Sequence, residues 1–340
     1  MKKSILFVLT IVLLTFFLVQ TGLAADAEYK IRCSLGPPEN HFISEQFRDW
    51  ANLIKEKTDG RVEVEIYYTQ QLYKDSQVIE AIQTGAIEAG CAYTFALATM
   101  IPEFEIFNMP MLFNTTAEQE KMLNSRIGKI LANKTETKGL KYLGWFYWPQ
   151  EDLGFVSTKE IKAPGDFKGL KIRGLSGVAA EWFKSLGASP AYISGAELYM
   201  AFQRGTVDAA NGQLAGIIER KQYEVAPYMI LSVSGGSMGS LPVINKKYFS
   251  KLPEDIQQAI IEASAEVTAK SAEYAVNAHN KYLEKAKELK INVYHPSEEE
   301  LILWRSGVRD IWRKSFAKKP GALVLADEAL DLLGKADYFK

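Results

Sequence analysis

Hydrophobic positions along the chain follow two different periods. Val62, Val64 and Ile66 alternate with Glu63 and Glu65, the two-residue period of a half-buried strand. Phe47, Trp50, Ala51 and Ile54 instead share one face of a helix that stops at Gly60, and Val178, Ala179, Trp182, Phe183 and Leu186 do the same before Gly187. Ser194 with Glu197 predicts a capping box for a further helix that turns Leu198, Ala201 and Phe202 inward. From Glu254 to His295 there is neither Gly nor Pro, and Ile256, Ile260, Ala263, Val267, Tyr274, Ala278 and Tyr282 keep an approximate helical stripe. One helix over residues 253–289 would be about 55 Å long at ~1.5 Å per residue. That exceeds a single lobe, so the helix is expected along the back of two.

An internal echo supports two lobes built on one plan. Lys30-Ile31-Arg32 recurs as Lys171-Ile172-Arg173, each a short strand pattern leading through a glycine-containing loop into a helix. Downstream, Ala81-Ile82-Gln83-Thr84-Gly85-Ala86-Ile87-Glu88-Ala89 is matched by Ala201-Phe202-Gln203-Arg204-Gly205-Thr206-Val207-Asp208-Ala209: a last helical turn, a C-cap glycine, then a strand. Each half therefore reads strand, helix, strand, helix, strand, which predicts an α/β fold with mostly parallel sheets covered by helices. Two such lobes suggest a ligand cleft between them, lined by the loops after Cys33, Cys91, Arg173 and Ala210.

The N-terminus modifies the picture. Lys2 and Lys3, an apolar run from Ile5 to Val19 and the small residues Gly22 and Ala24 form a cleavable secretory signal over residues 1–24, which places the mature protein in the periplasm without a membrane span. Cys33 and Cys91 then face an oxidising compartment, where a disulfide is allowed and inert buried thiols are the alternative. Among 340 residues, 40 Lys and Arg stand against 41 Asp and Glu, which supplies no basic field for nucleic acid. Two cysteines and three histidines make no metal centre, and no cofactor motif is present.

Several segments, in order and spacing, carry a resemblance: Glu56-Lys57-Thr58-Asp59-Gly60-Arg61-Val62, Gln83-Thr84-Gly85-Ala86-Ile87-Glu88, Ile101-Pro102-Glu103-Phe104 with Met109-Pro110-Met111-Leu112-Phe113, Phe167-Lys168-Gly169-Leu170-Lys171-Ile172-Arg173, and Gly205-Thr206-Val207-Asp208. From about Tyr29 to the last helix the chain resembles the DctP-like solute-binding proteins of tripartite ATP-independent periplasmic (TRAP) transporters. The resemblance implies a type II-like periplasmic binding protein without catalytic activity: a monomer whose two lobes close on an organic anion and deliver it to a small and a large membrane subunit for uptake driven by an ion gradient. The expected lobes are residues 25–151 with 238–277, and 152–237 with 278–340.

The resemblance makes Arg173, which ends the Gly-Leu-Lys-Ile-Arg motif, the principal anion-binding residue. Its planar guanidinium can give a carboxylate two parallel hydrogen bonds. Where relatives carry a second arginine, Gln150 to Val156 has none, and the family's Asp-Gly-Gln-Glu-Asn reads Asp208-Ala209-Ala210-Asn211-Gly212, leaving Asn211 as a displaced amide. Tyr93, Thr94 and Phe95 follow the third strand, Glu39 and His41 sit in the loop after the first, and Tyr147 and Trp148 lie near the crossover, where ligand contact and core packing are both open. Trp145 reads as core. One arginine among aromatics would balance one carboxylate, so a monocarboxylate is expected unless Arg32, Arg204 or Arg220 turns into the cleft. The rival reading is a secreted serine hydrolase, since Gly235-Gly236-Ser237-Met238-Gly239 matches the nucleophile elbow with Asp255, His279 and His295 downstream; another is a binding protein serving a sensor kinase.

Overall fold

The computed structural model describes residues 27–174 and 177–338, so the signal segment expected over residues 1–24 lies outside the described residues. Two six-stranded sheets carry the architecture. In the first, β1 (Tyr29–Ser34), β2 (Val62–Tyr67), β3 (Ala89–Tyr93), β4 (Leu140–Tyr142) and β11 (Gly239–Asn245) run in the order β2-β1-β3-β11-β4, with β5 (Phe146–Tyr147) also on β11. In the second, β6 (Leu153–Ser157), β7 (Lys171–Arg173), β8 (Ser189–Ala191), β9 (Ala209–Gln213), β10 (Tyr228–Leu231) and β12 (Asn292–Tyr294) run β12-β10-β6-β9-β7-β8.

The sequence echo is an echo of topology. β1 is parallel to β2 and β3, as β7 is to β8 and β9. The helices before β3 and β9, Val78–Thr84 and Leu198–Gln203, are followed by Gly85 and Gly205 at φ 78° and 64°, a left-handed conformation that costs a glycine little. The sheets are less parallel than expected. β11 pairs antiparallel with β3, and β6 antiparallel with β9, because each arrives from the other half of the chain. The two lobes thus exchange a strand and are joined through the segments around residues 148–153 and 231–239.

Helix Phe42–Lys57 buries Phe47, Trp50 and Ile54 against the first sheet, as its periodicity predicts. The capping box at Ser194 forms only in half: Glu197 accepts from the Ser194 N–H and hydroxyl, while the helix begins at Leu198 without a side-chain cap. The long helix runs from Glu254 to Glu288, 35 residues and about 52 Å at ~1.5 Å per residue. On the first lobe its Ser264 accepts from Trp50 Nε1 at 2.8 Å, and its Ser271 hydroxyl takes the Tyr147 N–H and donates to Gln46 Oε1. Further along, His279 meets Asp152 and the Tyr282 hydroxyl donates to Glu219, so the helix spans both lobes.

The C-terminal helices divide between the lobes. Helix Val308–Phe316 packs on helix Gly177–Ser185 of the second lobe, and nearby Trp304 meets Phe167 and Trp182. Helix Pro320–Leu333 crosses to the first lobe, where Lys319 pairs with Glu105 and Arg126 with Glu328, while Lys335 donates to the Leu112 carbonyl and Glu118. This differs from the expected grouping of 278–340 with the second lobe, since periodicity tells that a helix buries a face but not against what. Cys33 and Cys91 are free thiols, buried in β1 and β3. No helix among the described residues is long and apolar enough to cross a membrane.

Trp50 is the fully buried bolt between helix Phe42–Lys57 and the spanning helix. Trp50→Ala is expected to lower the unfolding free energy by about 3–5 kcal/mol, and Ser264→Ala by about 1 kcal/mol, in chemical denaturation. A loss below about 1 kcal/mol for Trp50→Ala would show that this contact does not anchor the helix.

Candidate functional site

A cavity of about 100 Å³ lies where the two lobes face each other. The first lobe lines it with Gly36 and His41 after β1, Gln70 and Asp75 after β2, Tyr93 and Phe95 at the end of β3, and Trp148 and Met238 at the crossings. The second lobe contributes Arg173 at the end of β7, Asn211, Gly212 and Gln213 from β9, and Arg220 after helix Leu214–Glu219. The parallel strands of both lobes therefore point their carboxyl ends at one space, as the topology requires.

Arg173 is held by oxygens that carry no charge. Its Nε donates to the Ile193 carbonyl at 2.9 Å and its Nη1 to the Asn211 carbonyl at 3.0 Å, and among the described residues no carboxylate lies within 4 Å of it. Burial, reinforced by the nearby Arg220 and opposed in part by Asp75, brings its pKa down to about 10, so it stays charged at neutral pH without a carboxylate in direct contact. Such a cation favours an incoming anion strongly, because the desolvation that normally opposes ion pairing has already been met by the fold. Asn211 has a second role: its Oδ1 accepts the Gly235 N–H at 2.9 Å, which ties β9 to the returning crossover.

The neighbouring side chains shape the remaining walls. Tyr93 stacks on Phe95 with ring centres 5.4 Å apart, and Trp148, whose Nε1 donates to Ser240 Oγ at 3.0 Å, stands 5.2 Å from the His41 ring. His41 caps helix Phe42–Lys57 by accepting the Ile43 N–H at Nδ1, which leaves the proton of the neutral ring on Nε2. Burial, together with the charges of Arg220 and Lys281, lowers its pKa to about 3. Glu219 Oε2, 4.0 Å from Nε2, does not reverse this, for its carboxyl is itself lifted by burial and receives the Tyr282 hydroxyl.

Of the residues expected at the site, Arg173, Asn211, Tyr93, Phe95, Trp148 and His41 line the cavity. The others lie elsewhere. Thr94 is buried beneath it, accepting the Gly239 N–H at 3.3 Å; Tyr147 packs in the core beside Trp145; and Glu39 is exposed, its carbonyl taking Arg48. Of the three arginines that could alter the charge count, Arg32 pairs with Glu88 at 2.7 Å, Arg204 is exposed, and Arg220 lines the cavity. Asp75, Gln70 and Gln213 were missed. The repeat held a signal for two of them: the offset that sets Ala81 against Ala201 sets Asp75 against Gly195 and Tyr93 against Gln213, and all four line the cavity.

The hydrolase motif lacks its context. The Ser237 hydroxyl donates to the Phe107 carbonyl at 3.1 Å, the chain continues into strand β11 rather than a helix, Asp255 pairs with Arg61, and His279 with Asp152.

The family model of bacterial extracellular solute-binding proteins, family 7 (DctP), matches residues 34–319. The chain belongs to that family. Among its relatives, the C4-dicarboxylate-binding periplasmic protein DctP of Rhodobacter capsulatus is 28% identical over 277 residues, 81% of this chain and 82% of the relative. Among solved structures, the sugar acid binding protein DctPAm of Advenella mimigardefordensis, in complex with galactonate, matches with a TM-score of 0.82 at 27% identity, over 90% of this chain and 98% of that one. A TRAP periplasmic solute-binding protein of Sulfurospirillum deleyianum with bound succinate matches at 0.79 and 26%, over 92% of this chain and 100% of that one. The two-lobed α/β architecture of this DctP-family protein is thus that of binding proteins whose acids differ widely in charge and hydroxylation.

His41 supplies a pH test of the cavity wall. A histidine whose folded pKa lies below its unfolded value destabilises the fold as pH falls through the unfolded value near 6.5, because the unfolded chain then binds more protons. His41→Asn keeps an N-capping acceptor and removes that titration. The variant is expected to lose less stability than the parent between pH 7 and 5, by on the order of 1–2 kcal/mol in urea melts. Parallel curves would place a protonatable, solvated His41 in the folded state.

Proposed function

We propose that the protein is the periplasmic solute-binding component of a TRAP transporter. It captures a small organic acid between its lobes as a monomer and hands it to the small and large membrane subunits for ion-gradient-driven uptake. The observation that carries the reading is Arg173: a half-buried guanidinium, oriented by two carbonyls, with no carboxylate within 4 Å among the described residues, in a cavity shared by both lobes. Family membership and relatives that bind succinate and galactonate support it.

The charge count differs from the one expected in two places that offset each other. Arg220 adds a cation to the cavity and Asp75 adds an anion. One net positive charge remains, which a single carboxylate balances, so the acid is a monocarboxylate. Tyr93, Phe95 and Trp148 offer apolar faces to its carbon skeleton, and Asn211 offers amide hydrogens.

A thermal-shift panel of organic acids on the mature protein identifies ligands, since a compound that binds only the folded state raises its melting temperature. For the best of them, Arg173→Ala is expected to leave the melting curve of the free protein cooperative and to weaken binding by at least ~2 kcal/mol, with Arg173→Lys recovering only part of the loss. Calorimetry giving near-parental affinity for the alanine variant would remove Arg173 from the site.

A further inference from the structure

Two buried polar atoms of cavity-lining residues have no hydrogen-bond partner among the described residues, and they differ in kind. Gln213 Nε2, on β9, is a donor; Asp75 Oδ1, in the loop before helix Val78–Thr84, is an acceptor. Donors are abundant in this space through Arg173, Arg220 and Asn211. A carboxylate is not: Asp75 is the only acidic residue among the described residues lining it.

The carboxylate is held in place. Asp75 Oδ2 receives Gln70 Nε2 at 3.1 Å, and the group lies flush against the loop after β1, where a Cβ on Gly36 would come within 2.1 Å of Oδ1. Arg173 and Arg220 belong to the second lobe and Asp75 to the first, so a ligand bound to the arginines presents its other end toward Asp75.

We propose that Asp75 sets the ligand class: it accepts a hydroxyl hydrogen from the carbon chain of the acid and repels a second carboxylate, so the site takes hydroxylated monocarboxylates in preference to dicarboxylates. This rests on the reading of Arg173 as the partner of the ligand's carboxylate. Burial lifts the Asp75 pKa to about 6 against the pull of Arg220 and Arg173, so the group carries its charge at neutral pH. A dicarboxylate would bring a second anion beside it, out of bulk water, where like charges are costly. A hydroxyl instead satisfies an acceptor whose isolation is itself unfavourable. An ammonium would donate equally well, but a zwitterion leaves the cavity's net positive charge unbalanced. Relatives of one fold hold succinate in one case and galactonate in another, so the choice between such acids resides in lining residues rather than in the scaffold.

The test is calorimetry at pH 7.5 on the mature full-length protein with acids matched in length: butyrate, threonate and succinate at four carbons, and hexanoate, galactonate and adipate at six. The parent is expected to bind the hydroxylated acid of one length at least about tenfold more tightly than its two companions. Asp75→Asn should weaken that acid and strengthen the dicarboxylate, moving their ratio by at least about tenfold, and the smaller neutral Asp75→Ser should move it the same way if the amide disturbs folding. An unchanged ratio in both variants, or a parent that prefers succinate or adipate, overturns the role of Asp75 while leaving Arg173 in place if Arg173→Ala still weakens binding as expected above. Unaltered binding by Arg173→Ala, or no binding of any of the six by the parent, overturns the underlying reading as well.

Discussion

The guanidinium of Arg173 sits half-buried at the cleft with two backbone carbonyls for hydrogen-bond partners, and the cleft is organised around that imbalance. An ion normally enters a protein with its counterion, because the desolvation cost is otherwise prohibitive. Here the cation is held on the second lobe by the rigidity of β7 and β9, and what faces it across the cavity is a set of aromatic rings and a single carboxylate on the first lobe. Arg220 deepens the positive field and Asp75 trims it. An anion entering between the lobes would meet that field with part of the desolvation of the cation already met by the fold.

The chain ties the two lobes together behind the cleft. Each sheet is completed by a strand that arrives from the other lobe, and the spanning helix is fastened to both. Near the crossings the ties turn polar: Asp152, fully buried in the segment leading into β6, holds His279 of the helix and raises its pKa, while Glu219 links Tyr282 of the helix to the neighbourhood of His41. Apolar packing dominates farther from the crossings, where Trp50 on one lobe and the Trp182, Trp304 and Phe167 cluster on the other fix each lobe as a rigid body.

Much of this was legible in the sequence where periodicity and repetition carry information. The 3.6-residue stripe predicted the spanning helix to within about a residue at each end, and the doubled Lys-Ile-Arg and Gly-[Ala/Thr]-[Ile/Val]-[Glu/Asp] segments foretold two matching sheets. Arg173 emerged because it closes a motif at the carboxyl end of a strand. Arg220 was one of three arginines between which sequence could not choose, since which way a side chain turns after a short helix depends on the packing of Gly195 and Gly216 beside it. Asp75 sits in a loop with no period, so only the repeat could have singled it out. Thr94 and Tyr147 differ from their cavity-lining neighbours because the backbone changes direction there: Thr94 opens a helical turn where β3 ends, and Tyr147 closes β5 just before the crossing at Trp148, so each turns into the core.

The central claim is that Arg173 awaits the ligand's carboxylate, and a crystal structure of the mature protein with its tightest-binding acid tests it most directly. The account predicts a ligand carboxylate oxygen within hydrogen-bond distance, about 2.7–2.9 Å, of the Arg173 guanidinium, with the bonds to the Ile193 and Asn211 carbonyls retained. A carboxylate bound elsewhere, with Arg173 unchanged and facing only water, would contradict it.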